Sequence, residues 1–378
     1  MIDPFGRTID YLRVSVTDRC NFRCLYCMPA EGAVFVPREE ILNFEEIAAI
    51  VGVAARLGVR KIRLTGGEPL VRRDIVELTR MVAGIPGIRD LSMTTNGSLL
   101  GELARPLYNA GLRRINISLD SLDEEICERM SRGGKLSEVL EGIDAAQRAG
   151  LDPIKLNAVV VRGLNDEEVG RLARLSVTRG LHVRFIELMP IGWSPDDEPV
   201  WETGSGCESR GEKSAAHAFG DSFVPLESVD WKATAQSTPI RGLETIGFAE
   251  MRRRFVSARE IRARIEDELG PLTPAEVITN GPARSFRAAG GRGTIGFISQ
   301  ISHDFCETCN RMRLTAEGML RPCLMADGEE DLREAIRGPE GEAEVERRIL
   351  RALGNKPKEH RLDAGVEPHS RVMSQIGG

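Results

Sequence analysis

The first 190 residues alternate short apolar runs with amphipathic stretches, and this alternation restricts the chain to few folds. Six runs have the composition of strands and lie at 12–17, 62–65, 91–95, 115–120, 155–161 and 183–189. Helical patterns separate these runs, among them 45–58, 72–84, 136–150 and 166–180. Strands that alternate with helices of this length indicate βαβ units and a parallel sheet. Such repeats form either an incomplete barrel or an open doubly wound sheet, and periodicity alone leaves both open.

The residues with unusual chemistry fall where these predicted strands end. Three cysteines follow the first strand, TGGEP follows the second, TTNG the third, SLD the fourth and ELMP the sixth. In parallel β/α folds, the carboxyl ends of the strands form the edge at which ligands bind and reactions occur. The pattern therefore favours a barrel-like arrangement with a site at that edge.

Composition and charge limit the class of protein. The chain has 378 residues, of which 41% are hydrophobic and 29% charged, as in a globular protein with one large α/β domain and an appendage. Its formal net charge of −6 argues against a nucleic-acid partner. It contains no apolar run of about 18 residues and no basic start followed by an apolar run. We therefore expect a cytoplasmic protein without nucleic-acid or membrane partners.

Segment 193–246 interrupts the periodic pattern. It is polar, contains Gly, Ser and Pro, and predicts a long loop-like insertion. We therefore divide the chain into a partial barrel at 1–192, this insertion, and a C-terminal region at 247–378 that ends in Gly-Gly. The C-terminal region contains a helical pattern at 257–270, a strand at 294–299, a hairpin at 311–324 and two charged helical segments at about 329–337 and 340–353.

Three cysteines lie close together after the first strand: Cys20, Cys24 and Cys27, spaced C-x3-C-x2-C. Disulfides are disfavoured in the cytosol. A zinc ion would need a remote fourth ligand, since the nearest histidine in the sequence is His182. Thiolates also hold [4Fe–4S] clusters, and three of them leave one iron open for a ligand. The spacing therefore favours a cluster, with zinc as the alternative.

A second group, Cys306, Cys309 and Cys323, has the spacing C-x2-C-x13-C. Here His303 lies just upstream, so a Cys3His zinc site is an equal alternative on these residues alone. A first cluster in the same chain shifts the interpretation toward a second cluster, again with an open iron. The remaining cysteines are isolated, Cys127 with the pattern of a packing residue and Cys207 in the insertion.

The first cysteine motif, the aromatic Tyr26 before its last cysteine, and TGGEPL at 65–70 together resemble the radical S-adenosylmethionine (SAM) superfamily. This resemblance implies a partial (β/α)6 TIM-type barrel whose cluster binds SAM at the open iron. It also implies a one-electron cleavage of SAM to a 5′-deoxyadenosyl radical, which abstracts a hydrogen atom from the substrate. The protein's part is to orient the cofactor and to exclude water.

Motifs along nearly the whole chain resemble one family within it, the GTP 3′,8-cyclases of molybdenum-cofactor biosynthesis. They are DRCNFRCLYCMP, KIRLTGGEPLVRRD, TTNG, INISLDSL, KLNAVV, RFIELMP, FCETCNRMRLTAEGMLRPCL and the terminal MSQIGG. The resemblance implies a lyase that converts GTP to (8S)-3′,8-cyclo-7,8-dihydroguanosine 5′-triphosphate, with SAM and two [4Fe–4S] clusters as cofactors. It further implies an electron donor such as flavodoxin or ferredoxin, cyclic pyranopterin monophosphate synthase as the next enzyme, and a monomer or homodimer.

The resemblance assigns a role to each matching residue. The ligands of the SAM cluster would be Cys20, Cys24 and Cys27, and those of the substrate cluster Cys306, Cys309 and Cys323. The residues at the SAM site would be Tyr26, Gly67, Ser118 and Met189. The residues that hold GTP would be Arg13, Arg63, Thr94, Lys155, Arg311 and Arg313. Arg184 would lie beside the reacting ribose and is, with Cys24, the catalytic candidate.

Local alternatives stand beside several of these assignments. Gly66 and Gly67 also suit an ordinary tight turn. Arg13 and Lys155 begin strands, so alternation alone leaves open whether they face the barrel or its exterior. A terminal Gly377 is ordinarily part of a frayed end, whereas the resemblance implies that it reaches into the active site. Ordinary local explanations also exist for Ser118 and Thr94 as backbone caps, Met189 as a core residue and Glu68 at a helix start.

Two other functions compete with this interpretation. One is another radical SAM enzyme with an auxiliary cluster, which would modify a peptide or a cofactor precursor. Arg311 and Arg313 argue instead for a nucleotide triphosphate as substrate, because the phosphates would need cations beside the second cysteine group. The other is a zinc- or cluster-bearing binding protein, such as a regulator or an electron carrier.

Overall fold

The computed structural model describes residues 1–29, 32–33, 35–189, 191, 248–275, 281–360 and 371–377. The predicted insertion at 193–246, with Cys207, and the last residue, Gly378, lie outside these ranges. None of the described helices is long and apolar enough to cross a membrane.

Six parallel strands form the centre of the protein, in chain order. They are β1 (Tyr11–Ser15), β2 (Lys61–Thr65), β3 (Asp90–Thr95), β4 (Arg114–Ser118), β5 (Ile154–Val160) and β6 (His182–Glu187). Each overlaps a predicted strand, and each of the first five pairs in parallel with the next. The helices between them are α1 (Phe44–Arg56), α2 (Ile75–Ala83), α3 (Leu100–Asn109), α4 (Glu124–Ser131), α5 (Leu136–Ala149) and α6 (Val169–Thr178). The prediction of βαβ units is confirmed.

Local sequence explains where α1 begins and why α3 is absent from the predicted helical patterns. The side chain of Asn43 accepts the backbone N–H of Glu46, and the side chain of Glu46 accepts the N–H of Asn43. This reciprocal cap satisfies two N–H groups that a first helical turn leaves unpaired. The predicted helical patterns do not include α3, which Pro106 interrupts, and they indicate α4 only through the helical spacing of Cys127 among charged residues.

Each central strand separates an apolar face from a polar one. Leu12 and Val14 of β1, with Ile62 and Leu64 of β2, belong to the same buried core as helix residues such as Ile47. Full burial of one such side chain contributes roughly 1.5–3 kcal/mol. Because neighbouring residues of a strand point to opposite faces, this core leaves the alternate residues for the concave side of the sheet.

The C-terminal region continues the same sheet. Its helices are α7 (Phe248–Arg253), α8 (Ala258–Leu269), α9 (Leu332–Arg337) and α10 (Glu342–Gly354). Its strands are β7 (Thr273–Pro274), β8 (Arg284–Arg287), β9 (Ile295–Ile298), β10 (Arg311–Leu314), β11 (Met319–Arg321) and β12 (Glu330–Asp331). The order of the twelve-stranded sheet is β12-β11-β10-β1-β2-β3-β4-β5-β6-β9-β8-β7. The predicted helix at 257–270, strand at 294–299 and hairpin at 311–324 correspond to α8, β9 and β10–β11.

This topology confirms the α/β class and the partial barrel with a C-terminal extension. Strand β9 pairs in parallel with β6, and β10 pairs in parallel with β1. These two strands lie at opposite edges of the central six, and within the described residues they do not pair with each other, so the barrel is open. The extension is thus more than an appendage, because it lengthens the sheet on both sides and brings the second cysteine group next to β1.

Candidate active site

Strand register places polar residues of many strands on one concave face. Arg13 of β1 pairs with Arg63 of β2 and with Arg313 of β10. Across the sheet, Asn157 of β5 pairs with Arg184 of β6. Paired residues point to the same side of a sheet, so these side chains converge opposite the apolar core. The open question about Arg13 and Lys155 is thereby answered, since alternation with the buried core residues turns both inward.

The concave face encloses a cavity of about 260 Å³. The predicted site residues that line it are Arg13, Cys20, Cys24, Tyr26, Cys27, Arg63, Gly67, Thr94, Ser118, Arg184, Met189, Arg311 and Arg313. Four predicted residues are not part of its wall: Lys155, Cys306, Cys309 and Cys323. Phe305 and Leu324, which do line the cavity, adjoin Cys306 and Cys323 in the chain. One cavity therefore gathers most of the residues that the sequence scattered over the two regions.

The first cysteine group occupies the loop after β1. The backbone N–H of Phe22 lies 3.3 Å from the sulfur of Cys20. Burial, and then the Glu68 carboxylate, raise the pKa of Cys20 to about 11. Burial, and then Cys20 and Asp120, raise the pKa of Cys27 to about 12. Arg23 and Arg132 donate to backbone carbonyl oxygens of this loop, and Arg23 partly offsets the rise at Cys20. At Cys27 the only charged side chains that act on the thiol are negative, which disfavours further negative charge there.

Glu68 is a buried carboxylate beside the first cysteine group. Its oxygens accept the N–H of Asn96 at 2.6 Å, the hydroxyl of Thr95 at 2.7 Å and the N–H of Leu70 at 3.0 Å. The bond to Leu70 begins a short 3-10 turn, as the helix-start alternative predicted, while the other two join this loop to the end of β3. Burial raises the pKa of Glu68 to about 7. An approaching cation would favour its ionised form.

Asp120, just after β4, is the second buried carboxylate at this end. It accepts the hydroxyl of Tyr26 at 2.6 Å and the N–H of Val159 at 2.8 Å. Burial raises the pKa of Asp120 to about 6. Asp120 is the last residue of the SLD motif at the end of the fourth predicted strand, but the sequence assigns it no role, because its local pattern is that of any acidic residue after a strand. Its partnership with Tyr26 exists only once β4 and the cysteine loop have come together.

Gly66 and Gly67 are required where two backbone segments touch. A Cβ at Gly67 would lie 2.3 Å from the carbonyl oxygen of Arg19, and one at Gly66 would lie 2.4 Å from that of Thr17. Gly66 also has a φ of +154°, which favours glycine. The N–H of Gly67 donates to the Thr17 carbonyl at 2.8 Å. The two glycines therefore let two segments of the backbone approach each other closely. This contact holds the loop after β2 against the cysteine loop.

The second cysteine group has cations beside it. A guanidinium nitrogen of Arg311 lies 3.9 Å from the sulfur of Cys309. Burial raises the pKa of the Cys309 thiol, but Arg311 and Lys356 together lower it, and the net shift is downward. The candidate zinc ligand His303 is exposed and donates its backbone N–H to Ser299. The charge around Cys309 is therefore opposite in sign to that around Cys27, whereas burial and Asp304 raise the pKa of Cys306.

Several buried cations lie on the concave face. Within the described residues no ion pair joins Lys155, Arg184 or Arg313 to a carboxylate. Arg184 is 6% exposed, and its buried Nε has no hydrogen-bond partner among those residues. Burial, and then Arg63, lower the pKa of Arg184 to about 9, and burial, then Arg184, lower that of Lys155 to about 7. Buried cations that repel one another are costly unless an anion joins them.

The C-terminal residues enter the same cavity. The carbonyl oxygen of Gly377 accepts a hydrogen bond from Arg13 at 2.7 Å and one from Arg313 at 2.8 Å. Gly377 has a φ of +71°, and a Cβ there would lie 2.7 Å from the hydroxyl of Ser15. Only glycine fits this conformation without displacing its neighbours. Gly377 is therefore held in place rather than frayed. Its carbonyl oxygen takes one donor from each of two predicted GTP-binding arginines.

Both cysteine groups fit iron–sulfur clusters. Their six thiols are free and partly buried. The N–H of Met325 lies 3.4 Å from the sulfur of Cys323, and that of Phe22 lies 3.3 Å from the sulfur of Cys20. Such bonds stabilise cluster thiolates. In the described part of the chain, no three His, Cys, Asp or Glu side chains are grouped as ligands of a single metal ion. Three thiolates without histidine are the donor set of a cluster with one iron open.

Some polar residues of the concave face were not predicted. The hydroxyl of Tyr11, the amide nitrogen of Asn116 and the amide oxygen of Asn157 are buried without a hydrogen-bond partner in the described structure. Tyr11 and Asn157 lie two residues from Arg13 and Lys155, so strand alternation would have placed them on the same face once those two were known to point inward. The position of Asn116 on this face could be inferred in the same way, because it pairs with Lys155 in the sheet.

The fold can be compared with that of a solved protein that binds S-adenosylmethionine. The structure resembles the crystal structure of Streptococcus suis SuiB bound to S-adenosylmethionine, with a TM-score of 0.53 and 12% identity over 86% of this chain and 64% of that one. Residues 14–176 match the family model described as Radical SAM superfamily. Residues 240–362 match the one described as Molybdenum Cofactor Synthesis C. Fold, cysteine loop and family model together define a radical SAM enzyme.

Curated relatives identify the family within this class. GTP 3′,8-cyclase of Moorella thermoacetica is 44% identical over 379 residues, which cover 100% of both chains. GTP 3′,8-cyclase of Pseudomonas putida is 43% identical over 381 residues, covering 100% of this chain and 98% of that one. The chain belongs to the GTP 3′,8-cyclase family. The predictions of an enzyme, of SAM and of two [4Fe–4S] clusters are confirmed.

Proposed function

We propose that the cavity binds SAM at the first cysteine group and GTP at the second, and that its two ends are distinguished by charge. The family's reaction is the reaction predicted for this chain, the radical SAM-dependent cyclisation of GTP to (8S)-3′,8-cyclo-7,8-dihydroguanosine 5′-triphosphate. When bound, the reduced first cluster and SAM supply the carbon-centred radical that removes a hydrogen atom from the substrate. The residues of the chain bind, orient and shield the reactants.

The acidic end suits the cofactor. SAM carries a sulfonium and an ammonium group, and buried carboxylates stabilise cations. Glu68 and Asp120 supply two such carboxylates beside Cys20 and Cys27. Asp120 also fixes the hydroxyl of Tyr26 at 2.6 Å and thereby orients that ring in the cavity wall. In this assignment Tyr26, Gly67, Ser118 and Met189 surround SAM, and Cys20, Cys24 and Cys27 hold its cluster.

The basic end suits the substrate. The single observation that carries this assignment is the set of buried cations that lack a carboxylate among the described residues, above all Arg184. A triphosphate would supply the missing negative charge and would accept charge-assisted, bidentate bonds from guanidinium groups. In this assignment GTP is held by Arg13, Arg63, Thr94, Lys155, Arg311 and Arg313, with Cys306, Cys309 and Cys323 as ligands of the second cluster and Arg184 beside the ribose.

The tail shares donors with the substrate. Gly377 already accepts bonds from Arg13 and Arg313, so we propose that these two arginines divide their donors between the tail and a phosphate. Arg184, which has no such tail contact, is free of this competition and is the cleaner probe of GTP binding.

We also propose the division of the chain into a barrel at 1–192, an insertion at 193–246 and an auxiliary-cluster region at 247–378, which agrees with this arrangement.

We further propose that the enzyme works in the cytoplasm. Its clusters require a low-potential electron, for which a flavodoxin or a ferredoxin is a suitable donor. The product is the substrate of the next step of molybdenum-cofactor biosynthesis, so cyclic pyranopterin monophosphate synthase is the expected acceptor of the product.

The test is an anaerobic incubation of the reduced, reconstituted protein with SAM and GTP. We expect 5′-deoxyadenosine and an isomer of GTP to form in equal amounts, measured by liquid chromatography with mass detection. Two clusters predict about eight irons and eight sulfides per chain. Two zinc ions without sulfide, or 5′-deoxyadenosine without a GTP isomer when GTP is saturating, would contradict the proposed function.

A further inference from the structure

A buried lysine bridges the chain behind the second cysteine group, and none of the roles proposed above uses it. Lys356 is 3% exposed. Its ammonium group donates to the carbonyl oxygen of Arg311 at 2.9 Å and to that of Pro322. Arg311 lies two residues after Cys309, and Pro322 directly precedes Cys323. One cation therefore fixes the backbone beside two of the three cysteines.

Arg7, from the N-terminal segment, fixes the residues that follow this lysine. Its guanidinium group donates to the carbonyl oxygens of Cys306 at 2.9 Å, Lys358 at 2.7 Å and Pro357 at 2.6 Å. Its Nε pairs with the buried carboxylate of Asp3 at 2.6 Å. The segment behind the cysteine group is thus tied to the third cysteine as well, through an arginine that has its own counter-ion.

The ammonium group of Lys356 interacts electrostatically with Cys309 and Cys323. Within the described residues its hydrogen bonds go only to the two carbonyl oxygens, and no carboxylate pairs with it. Burial lowers the pKa of Lys356, while the negative charge of Cys309 and Cys323 raises it. A cation held in a poorly polarisable interior stabilises added negative charge nearby far more than it would in water.

We propose that Lys356 sets the reduction potential of the second cluster, as a positioning residue whose ammonium group stabilises the reduced state. The inference rests on the proposed function, because it takes Cys306, Cys309 and Cys323 to be cluster ligands. One-electron reduction makes a cluster one unit more negative, and a fixed cation lowers the energy of that state. Net charge and hydrogen bonding around the sulfurs are known determinants of cluster potentials. At the first group Arg132 bridges two backbone carbonyl oxygens, those of Arg23 and Met28, but the carboxylates of Glu68 and Asp120 also act on its thiols.

The test is an anaerobic redox titration of the enzyme with both clusters reconstituted, followed by electron paramagnetic resonance, without SAM or GTP. Lys356→Met removes the charge and nearly keeps the volume. We expect one of the two midpoint potentials to become more negative by at least about 59 mV, which is a tenfold change in the ratio of reduced to oxidised cluster for one electron. The shifted potential should belong to the cluster that a Cys24→Ser protein retains.

The matched control is Lys358→Met, since Lys358 is exposed on the same segment and carries the same charge. It should leave both potentials unchanged, and an equal shift there would overturn the role of Lys356. Lys356→Gln keeps a donor for the carbonyl oxygens without the charge, and it replaces Lys356→Met if that variant does not bind iron. Full iron content with unchanged potentials in either variant would refute this inference alone. Absence of a second cluster from the unmodified protein would refute the proposed function instead.

Discussion

The two cysteine groups present the same ligands in opposite electrostatic surroundings. Buried carboxylates, Glu68 and Asp120, lie beside the first group. Cations, Arg311 and Lys356, lie beside the second. Three thiolates can hold a cluster in either place. Under the proposed function, the cysteines would provide the clusters, while their neighbours would decide whether a cationic cofactor or an anionic nucleotide approaches the open iron.

The largest expected effect separates the functions of the two groups. Cys24→Ser should reduce SAM cleavage to background, because the first group is proposed to hold the cluster that delivers the electron. Cys309→Ser should lose the GTP product but retain slow, uncoupled formation of 5′-deoxyadenosine. Both products can be quantified by liquid chromatography after anaerobic incubation. If each variant lost both products to the same extent, the proposed division between the two ends would be wrong.

The next effect concerns the basic end alone. Arg184→Gln should weaken GTP binding by about 10–100-fold, since a charge-assisted hydrogen bond contributes roughly 1.5–3 kcal/mol. SAM binding should change less than about twofold, because Arg184 does not belong to the acidic end. Equilibrium dialysis with each ligand measures both effects.

The control for this variant is Arg56→Gln. Arg56 is 57% exposed and pairs with Glu342 at the surface, where an ion pair contributes little. This change should alter neither affinity. Equal weakening of GTP and SAM binding by Arg184→Gln would show that the two ends are not separate.

A smaller effect should give the two ends opposite responses to pH. Lys155 has a pKa of about 7, lowered mainly by burial, so it is neutral above that pH in the free protein. A bound triphosphate raises this pKa, so GTP binding takes up a proton, and the affinity should fall as the pH rises from 7 to 9, by at most tenfold per unit. Glu68, whose pKa burial raises to about 7, should make SAM affinity rise toward pH 7.

Lys155→Arg keeps its charge throughout this range and should remove the pH dependence of GTP binding between pH 7 and 8, below the pKa of about 9 of Arg184. Isothermal titration calorimetry in buffers of different ionisation enthalpy would count the protons directly. A slope that persists in Lys155→Arg would assign the proton to another group.

The smallest effect concerns the tail. Gly377→Ala places a Cβ 2.7 Å from the hydroxyl of Ser15 at a φ of +71°, so the tail should move and the protein should lose about 1–2 kcal/mol of stability. Gly354→Ala, where no atom lies within 4 Å of the added Cβ, should be neutral or stabilise the last turn of α10 by up to about 1 kcal/mol. Thermal unfolding distinguishes the two, and equal stabilities would contradict the tight fit of the tail.

Sequence patterns were sufficient for the six central strands and both cysteine groups, whereas the partial barrel was implied by the family resemblance. Strand composition fixed β1 to β6 because each has a buried apolar face, and motif spacing located Cys20 and Cys306 without any knowledge of packing. The inward direction of Arg13 and Lys155 could not be read, because a strand alternates identically whichever face is buried. It became clear only from the register and from the core that Leu12 and its neighbours form.

Residues that act through long-range contacts gave no sequence signal. Asp120 meets Tyr26 across 94 positions, and Arg7 meets Cys306 across 299. Lys356 lies after a charged helix and reads as a solvated surface lysine, yet it is almost fully buried. Such roles depend on which loops meet in three dimensions, which no local pattern encodes.

The pairing of β10 with β1 has a consequence for synthesis of the protein. Tyr11 lies beside Arg311, so the first strand acquires this neighbour only after most of the chain has left the ribosome. Until then the first cysteine loop lacks the wall that β10 and Gly377 provide. A nascent chain therefore cannot enclose a reactive radical, and the chemistry becomes available only to a molecule whose last strands are in place.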